Sequence, residues 1–110
     1  MGLFQKLFNS QKEDSKKFRI QMAETISKKR IRYVTERKND VEEVIAKDGA
    51  FSIRDGEFIV FASSEVVFRT PLEDLRAWEL LSADGAVLTG IDLEHGGMER
   101  TITVHYVYYR

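Results

Sequence analysis

A chain of 110 residues with 43% hydrophobic and 32% charged residues has the size and make-up of one soluble globular domain. No run approaches the roughly 18 apolar residues of a spanning helix, and the absence of Cys excludes disulfides, thiolate zinc, iron–sulfur ligation and a cysteine nucleophile. The net charge of −1 conceals a split: residues 1–38 hold eleven Lys/Arg against four Asp/Glu, a net of +7, and residues 39–110 hold six against fourteen, a net of −8.

Residues 1–9 read as a short amphipathic arm, because Leu3, Phe4, Leu7 and Phe8 share one face of a helical turn beside Lys6. The arm lacks the long apolar run and cleavage site of a secretory signal. Lys6 also stands where a myristoylation motif at Gly2 needs Ser or Thr. Residues 10–110 are expected to form a single domain, helical over 10–49 and sheet over 50–110. Ser10 and Glu13 have capping-box spacing, and Phe18, Met22 and Ile26 then recur every four residues, with Ala23 beside them; this predicts a helix over 10–29 that packs by that stripe. Residues 30–37 are open to two readings, a continuation of the helix or a strand, since Tyr33, Val34 and Thr35 favour strands. Asn39 or Asp40 is placed to cap a second, short helix whose Val41, Val44 and Ile45 share a face, with Gly49 at its C-terminus.

From Ala50 the period changes to two. Phe51–Arg54, the turn Asp55-Gly56 and Glu57–Ala62 read as a hairpin. Ser63-Ser64 turns the chain into a strand over Val66–Thr70, which Pro71 closes. Leu75–Leu81 suits a strand or a helical turn. Ser82–Gly85 is a turn, Ala86–Ile91 a strand and Gly96-Gly97 a loop. In Arg100–Tyr109, Ile102, Val104, Tyr106 and Tyr108 alternate with Thr101, Thr103, His105, Val107 and Tyr109. The expected fold is therefore α+β: an N-terminal helix packed on a curled antiparallel sheet of about six or seven strands, a roll or partial barrel. Phe58, Ile59, Val60 and Phe61 are apolar on both faces of one strand, which predicts cover on both sides of the sheet, the second side by another copy of the chain.

The supply of catalytic groups is short. Two His, at 95 and 105, stand with no metalloprotease, phosphate-loop or nucleophile-elbow motif. The segment Asp92–Arg100 gathers Asp92, Glu94, His95 and Glu99, and reads as a solvated hairpin loop in preference to a divalent-metal site. His105, within an alternating strand, is expected to be a structural or surface His and not a proton shuttle, and Glu73-Asp74 to be turn or cap residues. Trp78, the sole Trp, suits a core anchor on one reading and an interface hot spot or ligand platform on the other. Nucleic-acid binding by the sheet is not expected, because Tyr106 and Tyr108 lie in the acidic half.

The stretch "FSIRDGEFIVFASSEVVFRTPLEDLRAWELL", followed by "VLTGID" and "RTITVHYVYY", resembles the strand rhythm of bacterial pleckstrin-homology-like and GRAM-like domains, in which such strands lead into a Pro-Leu-x-Asp-Leu-type crossing, here Pro71-Leu72-Glu73-Asp74-Leu75. The resemblance covers about 60 residues and implies a roll capped by a helix, here the N-terminal one; it carries over no site residues. The expected function is a non-enzymatic interaction or scaffold domain without cofactor, cytoplasmic and self-associating or bound to a protein partner. Its contact residues are drawn from Leu3, Phe4, Leu7, Phe8, Trp78, Tyr106 and Tyr108. The alternatives are a module peripheral to an anionic membrane at the inner face, using the basic N-terminus, and a small ligand-binding domain.

Overall fold

The computed structural model describes residues 17–107. Residues 17–27 are helical (α1), and seven strands follow: β1 (Arg30–Lys38), β2 (Val41–Arg54), β3 (Glu57–Ala62), β4 (Glu65–Pro71), β5 (Arg76–Glu79), β6 (Gly85–Asp92) and β7 (Met98–Tyr106). They form one antiparallel sheet in the order β4-β3-β2-β1-β7-β6-β5. The chain is thus α+β with a seven-stranded sheet, and the residues after α1 enter a strand at Arg30.

Sequence reasoning misplaced the boundary between helix and sheet. No second helix follows Asn39-Asp40, and residues 41–48 are strand, so the helical part does not extend to Gly49. Asn39 and Asp40 have φ of 52° and 64° and form the two-residue turn of the β1–β2 hairpin. Positive φ at both central residues gives a turn whose twist matches that of paired strands. Asp55-Gly56 (52° and 76°) and Ser63-Ser64 (53° and 63°) turn the next two hairpins in the same way, as expected. The helical spacing of Val41, Val44 and Ile45 comes from an irregularity: Thr35 pairs with Val44 but Val34 with Ala46, which leaves Ile45 as an extra residue.

Two glycines let the sheet curl. At Gly49, where β2 passes from β1 to β3, a Cβ would lie 1.8 Å from the Phe61 carbonyl oxygen. At Gly90 a Cβ would lie 2.5 Å from Thr70 Oγ1, which brings β4 against β6. The seam between them is fastened by the Leu93 N–H, which donates to the Arg69 carbonyl at 2.7 Å. The inward faces, with Ile31, Val34, Phe58, Val60, Phe68, Leu88, Ile102 and Val104 among them, build a continuous buried core. On β7 the predicted alternation holds, since Ile102, Val104 and Tyr106 all point inward.

The helix packs by a stripe rotated from the expected one. Ala23 and Ile26 are in the core and Met22 lies against it, but Phe18 is 57% exposed. The inward line runs through Arg19, whose Nη1 donates to the Glu73 carbonyl at 3.0 Å and so ties the helix to the β4–β5 connection. Past Ser27 the helix tightens, with the Lys29 N–H donating to the Ile26 carbonyl at 2.9 Å. The capping pair Ser10 and Glu13 lies outside the described residues.

Candidate functional site

Alternation along β6 sets Ala86, Leu88, Gly90 and Asp92 on the inward face, so an Asp arrives where the pattern calls for an apolar residue. Asp92 is 0% exposed. A buried carboxylate persists only when its oxygens are well supplied with donors. Here Oδ1 accepts from the backbone N–H of Arg69 at 3.2 Å and of Glu94 at 3.1 Å, and Oδ2 accepts from Arg100 Nη1 at 2.8 Å and His95 Nδ1 at 2.9 Å. Burial pushes the carboxyl up, but the bonds from Arg100, His95 and the two amides outweigh it and hold Asp92 below the ordinary carboxylate range.

Arg100, two positions before the inward-facing Ile102, reaches from β7 across the end of the sheet. Its Nε and Nη2 grip Glu36 of β1 at 2.9 Å each, and Nη1 also donates to the Val67 carbonyl of β4 at 2.7 Å. One guanidinium therefore joins β1, β4, β6 and β7. Its hydrogen bonds are the main reason that Glu36 is held below the usual range. Beside it, Arg69 of β4 bridges Glu57 at 2.8 Å and Glu94 at 3.0 Å. Residues 93–97 are the exposed loop of the β6–β7 hairpin, as expected, while Asp92 and Arg100 on its two flanks form an ionic clasp that closes one end of the curled sheet. Asp92 has its oxygens occupied by cationic and N–H donors, and among the described residues no group of three or more His, Asp or Glu side chains is placed to hold a metal.

The opposite end of β7 carries Tyr106, 5% exposed, whose hydroxyl is buried without a hydrogen-bond partner. Burial, with the charge of Glu79 adding to it, pushes this phenol far above its ordinary range. Lys29 Nζ lies 5.8 Å from the ring centroid. Tyr106 is thus part of the core and is not offered to a partner. His105 points outward and stacks on Tyr33, ring centroids 4.3 Å apart.

Trp78 is 51% exposed, so of its two expected roles the core anchor is excluded. It stands on β5, the last strand of the sheet, paired with Val87 on the outward face, while Ala77 pairs with the buried Leu88. Leu81 just beyond it is fully exposed. Leu3, Phe4, Leu7, Phe8 and Tyr108 lie outside the described residues. A cleft of about 310 Å³ near the helix mixes both signs of charge, lined by Arg19, Glu73, Asp74, Arg76 and Glu99 among others.

The residues of the clasp were missed at the sequence level because Glu36 and Arg100 are 64 positions apart and no local spacing links them. Asp92 alone carried a signal, the extension of the Ala86, Leu88, Gly90 alternation by one step. Compared with known proteins, the chain matches no family model, no curated protein and no solved structure.

Proposed function

We propose that this protein is a non-enzymatic interaction or scaffold domain that acts through its surface and associates with itself. The observation that carries this reading is the contrast between interior and edge. The inside of the curled sheet is filled with side chains, with the clasp at one end of β7 and the buried Tyr106 at the other, whereas Trp78 on the edge strand and Leu81 just beyond it are exposed. Large exposed aromatic and aliphatic side chains at a sheet edge are typical of contact surfaces. The same reading takes the curled sheet with α1 as a roll of the pleckstrin-homology-like kind and places the chain in the cytoplasm. Light scattering at about 100 μM tests it: a dimer or larger species is expected, and a strict monomer at that concentration overturns self-association.

A second reading is favoured by Phe18, exposed on α1 next to the exposed Lys17, with the exposed Lys28 and Lys29 just past the end of the helix. A basic helix with a protruding aromatic suits an anionic membrane surface. Flotation with anionic vesicles at low and high salt decides it. Salt-sensitive binding that falls on Phe18→Ser supports the membrane reading, and its absence at low salt removes it.

A further inference from the structure

The two lateral edges of the sheet differ in what becomes of their backbone groups. At β4, Arg69 has its N–H bonded to Asp92 Oδ1 and its carbonyl accepting from the Leu93 N–H, so that edge is engaged by the β6–β7 connection. At β5 the inner side is bonded to β6. The Leu80 N–H donates to the Gly85 carbonyl at 2.9 Å, and the register then makes Trp78↔Val87 and Arg76↔Thr89 the pairs that exchange bonds. Ala77 and Glu79, between them, turn their N–H and C=O groups to the open side. Among the described residues no strand pairs there. An edge of this kind is a template for another strand.

The side chains select the occupant. Two copies joined edge to edge about a two-fold axis perpendicular to the sheet must place some residue of β5 opposite itself. Centring on Glu79 sets two carboxylates face to face, which is unfavourable. Centring on Ala77 would call on the Leu75 N–H, which already donates to the Leu72 carbonyl. Centring on Trp78 pairs Ala77 of each copy with Glu79 of the other and uses all four outward groups of each strand. It also sets Trp78 against its own symmetry mate at the position where side chains come closest. Arg76, on the same outward face, falls diagonally beside the partner's Trp78, within reach for a cation–π contact.

We infer that the β5 edge is a homodimerisation site, in which two copies pair antiparallel with Trp78 on the two-fold axis. This rests on the self-associating reading above and gives it a surface and a register. The dimer is weak and concentration-dependent, since each strand contributes only four residues.

Trp78 is the sole Trp, so its emission reports this contact directly. The test follows Trp78 emission and light scattering of the full chain from about 1 to 200 μM, with Trp78→Ala and Ala77→Pro as variants; the second removes an N–H that crosses the interface. Expected are a blue shift of emission in step with dimer formation and a dissociation constant raised about 30-fold or more by Trp78→Ala, in the range of an interface hot spot. Far-UV circular dichroism checks that the variants fold, and the wild-type emission titration needs no variant. A monomer across the whole range overturns both the site and the self-associating reading. A dimer whose Trp78 emission does not shift, or that persists in folded Trp78→Ala, overturns the β5 site alone and leaves the broader reading standing.

Discussion

Arg100 Nη1 meets Asp92 Oδ2 at 2.8 Å, and the two residues are the last inward-facing positions of neighbouring strands at the same end of the sheet. The pair does what an apolar contact cannot do at that place. It gathers β1, β4, β6 and β7 by directed bonds, where among the described residues no further strand closes the curled sheet. Removing one partner of such a pair leaves the other desolvated and unpaired, which is costlier than the pair's own net worth. Asp92→Ala is therefore expected to destabilise the fold by about 2–4 kcal/mol, the lower part of the range reflecting the partial exposure of Arg100. Asp92→Asn, which keeps an acceptor oxygen, is expected to cost less. Denaturant unfolding of both variants at neutral pH measures the difference.

The clasp also sets an acid limit. Asp92 and Glu36 both have their pKa lowered in the folded state, by burial overcome by donors in the first case and chiefly by Arg100 in the second. A carboxyl depressed on folding contributes stability that is fully present above its unfolded value, about 4 for Asp and Glu, and that is lost as pH falls through the folded value. Stability should thus hold from neutral pH to about 5 and decline steadily below about 4. In Glu36→Gln the decline is expected to be shallower, because one of the two linked groups is gone. Thermal unfolding between pH 2.5 and 7 reads both slopes, and equal slopes in the two proteins would remove Glu36 from the account.

The seam between β4 and β6 has no slack at Gly90. A methyl group there meets Thr70 Oγ1 at 2.5 Å and the Thr70 Cβ and Cγ2 at 3.1 and 3.2 Å, and Thr70 is itself fully buried. Overpacking of this kind costs about 1–3 kcal/mol. Gly90→Ala is expected to lose stability in that range. The loss should be smaller in a Thr70→Ala background, where two of the three contacted atoms are reduced to none. A double-mutant cycle with no coupling would show that the strands separate instead of sharing the space.

Tyr106 poses the opposite case, a polar atom whose removal should be harmless. Its hydroxyl is buried and makes no hydrogen bond, so the folded state bears a desolvation cost with nothing to offset it. Tyr106→Phe keeps the ring in the core and removes that cost. The expected outcome is unchanged stability or a gain of up to about 1 kcal/mol in denaturant unfolding. A loss above that size would mean that the hydroxyl has a bonding partner in solution.

The sheet from Phe51 onward was legible because its turns are dipeptides that few other structures want, and because inward residues such as Ile102, Val104 and Tyr106 keep a strict period of two. The half before it was not. Arg30–Lys38 is rich in charges that say nothing about period, and its register slips against both neighbours, between Ile31 and Tyr33 and again between Val34 and Thr35. Slips of this kind erase alternation, and they imitate helical spacing in Val41, Val44 and Ile45. The clasp was illegible for another reason, since Glu36 and Arg100 meet only after β1 and β7 have paired. Phe18 misled because apolar spacing alone does not say which side of a helix will find the core; the contact of Arg19 with Glu73 fixed that rotation.

Asn39-Asp40 was the point at which a single dipeptide was read in the wrong direction, and it makes the last prediction. Both residues serve as helix caps and both tolerate the left-handed region, so their identity alone did not separate a cap from a hairpin turn. In the folded chain Asp40 sits at φ 64°, a conformation that costs an L side chain something and glycine nothing. Asn-Gly is the pair best suited to this turn. Asp40→Gly is accordingly expected to stabilise the protein by about 0.5–1 kcal/mol, with the greater unfolded-state freedom of glycine working against the relief of strain. Were residues 39–48 to form the capped helix instead, the same change would remove a cap and place glycine at a helix start, and stability would fall. The sign of the shift in the unfolding midpoint therefore tests the β1–β2 hairpin itself.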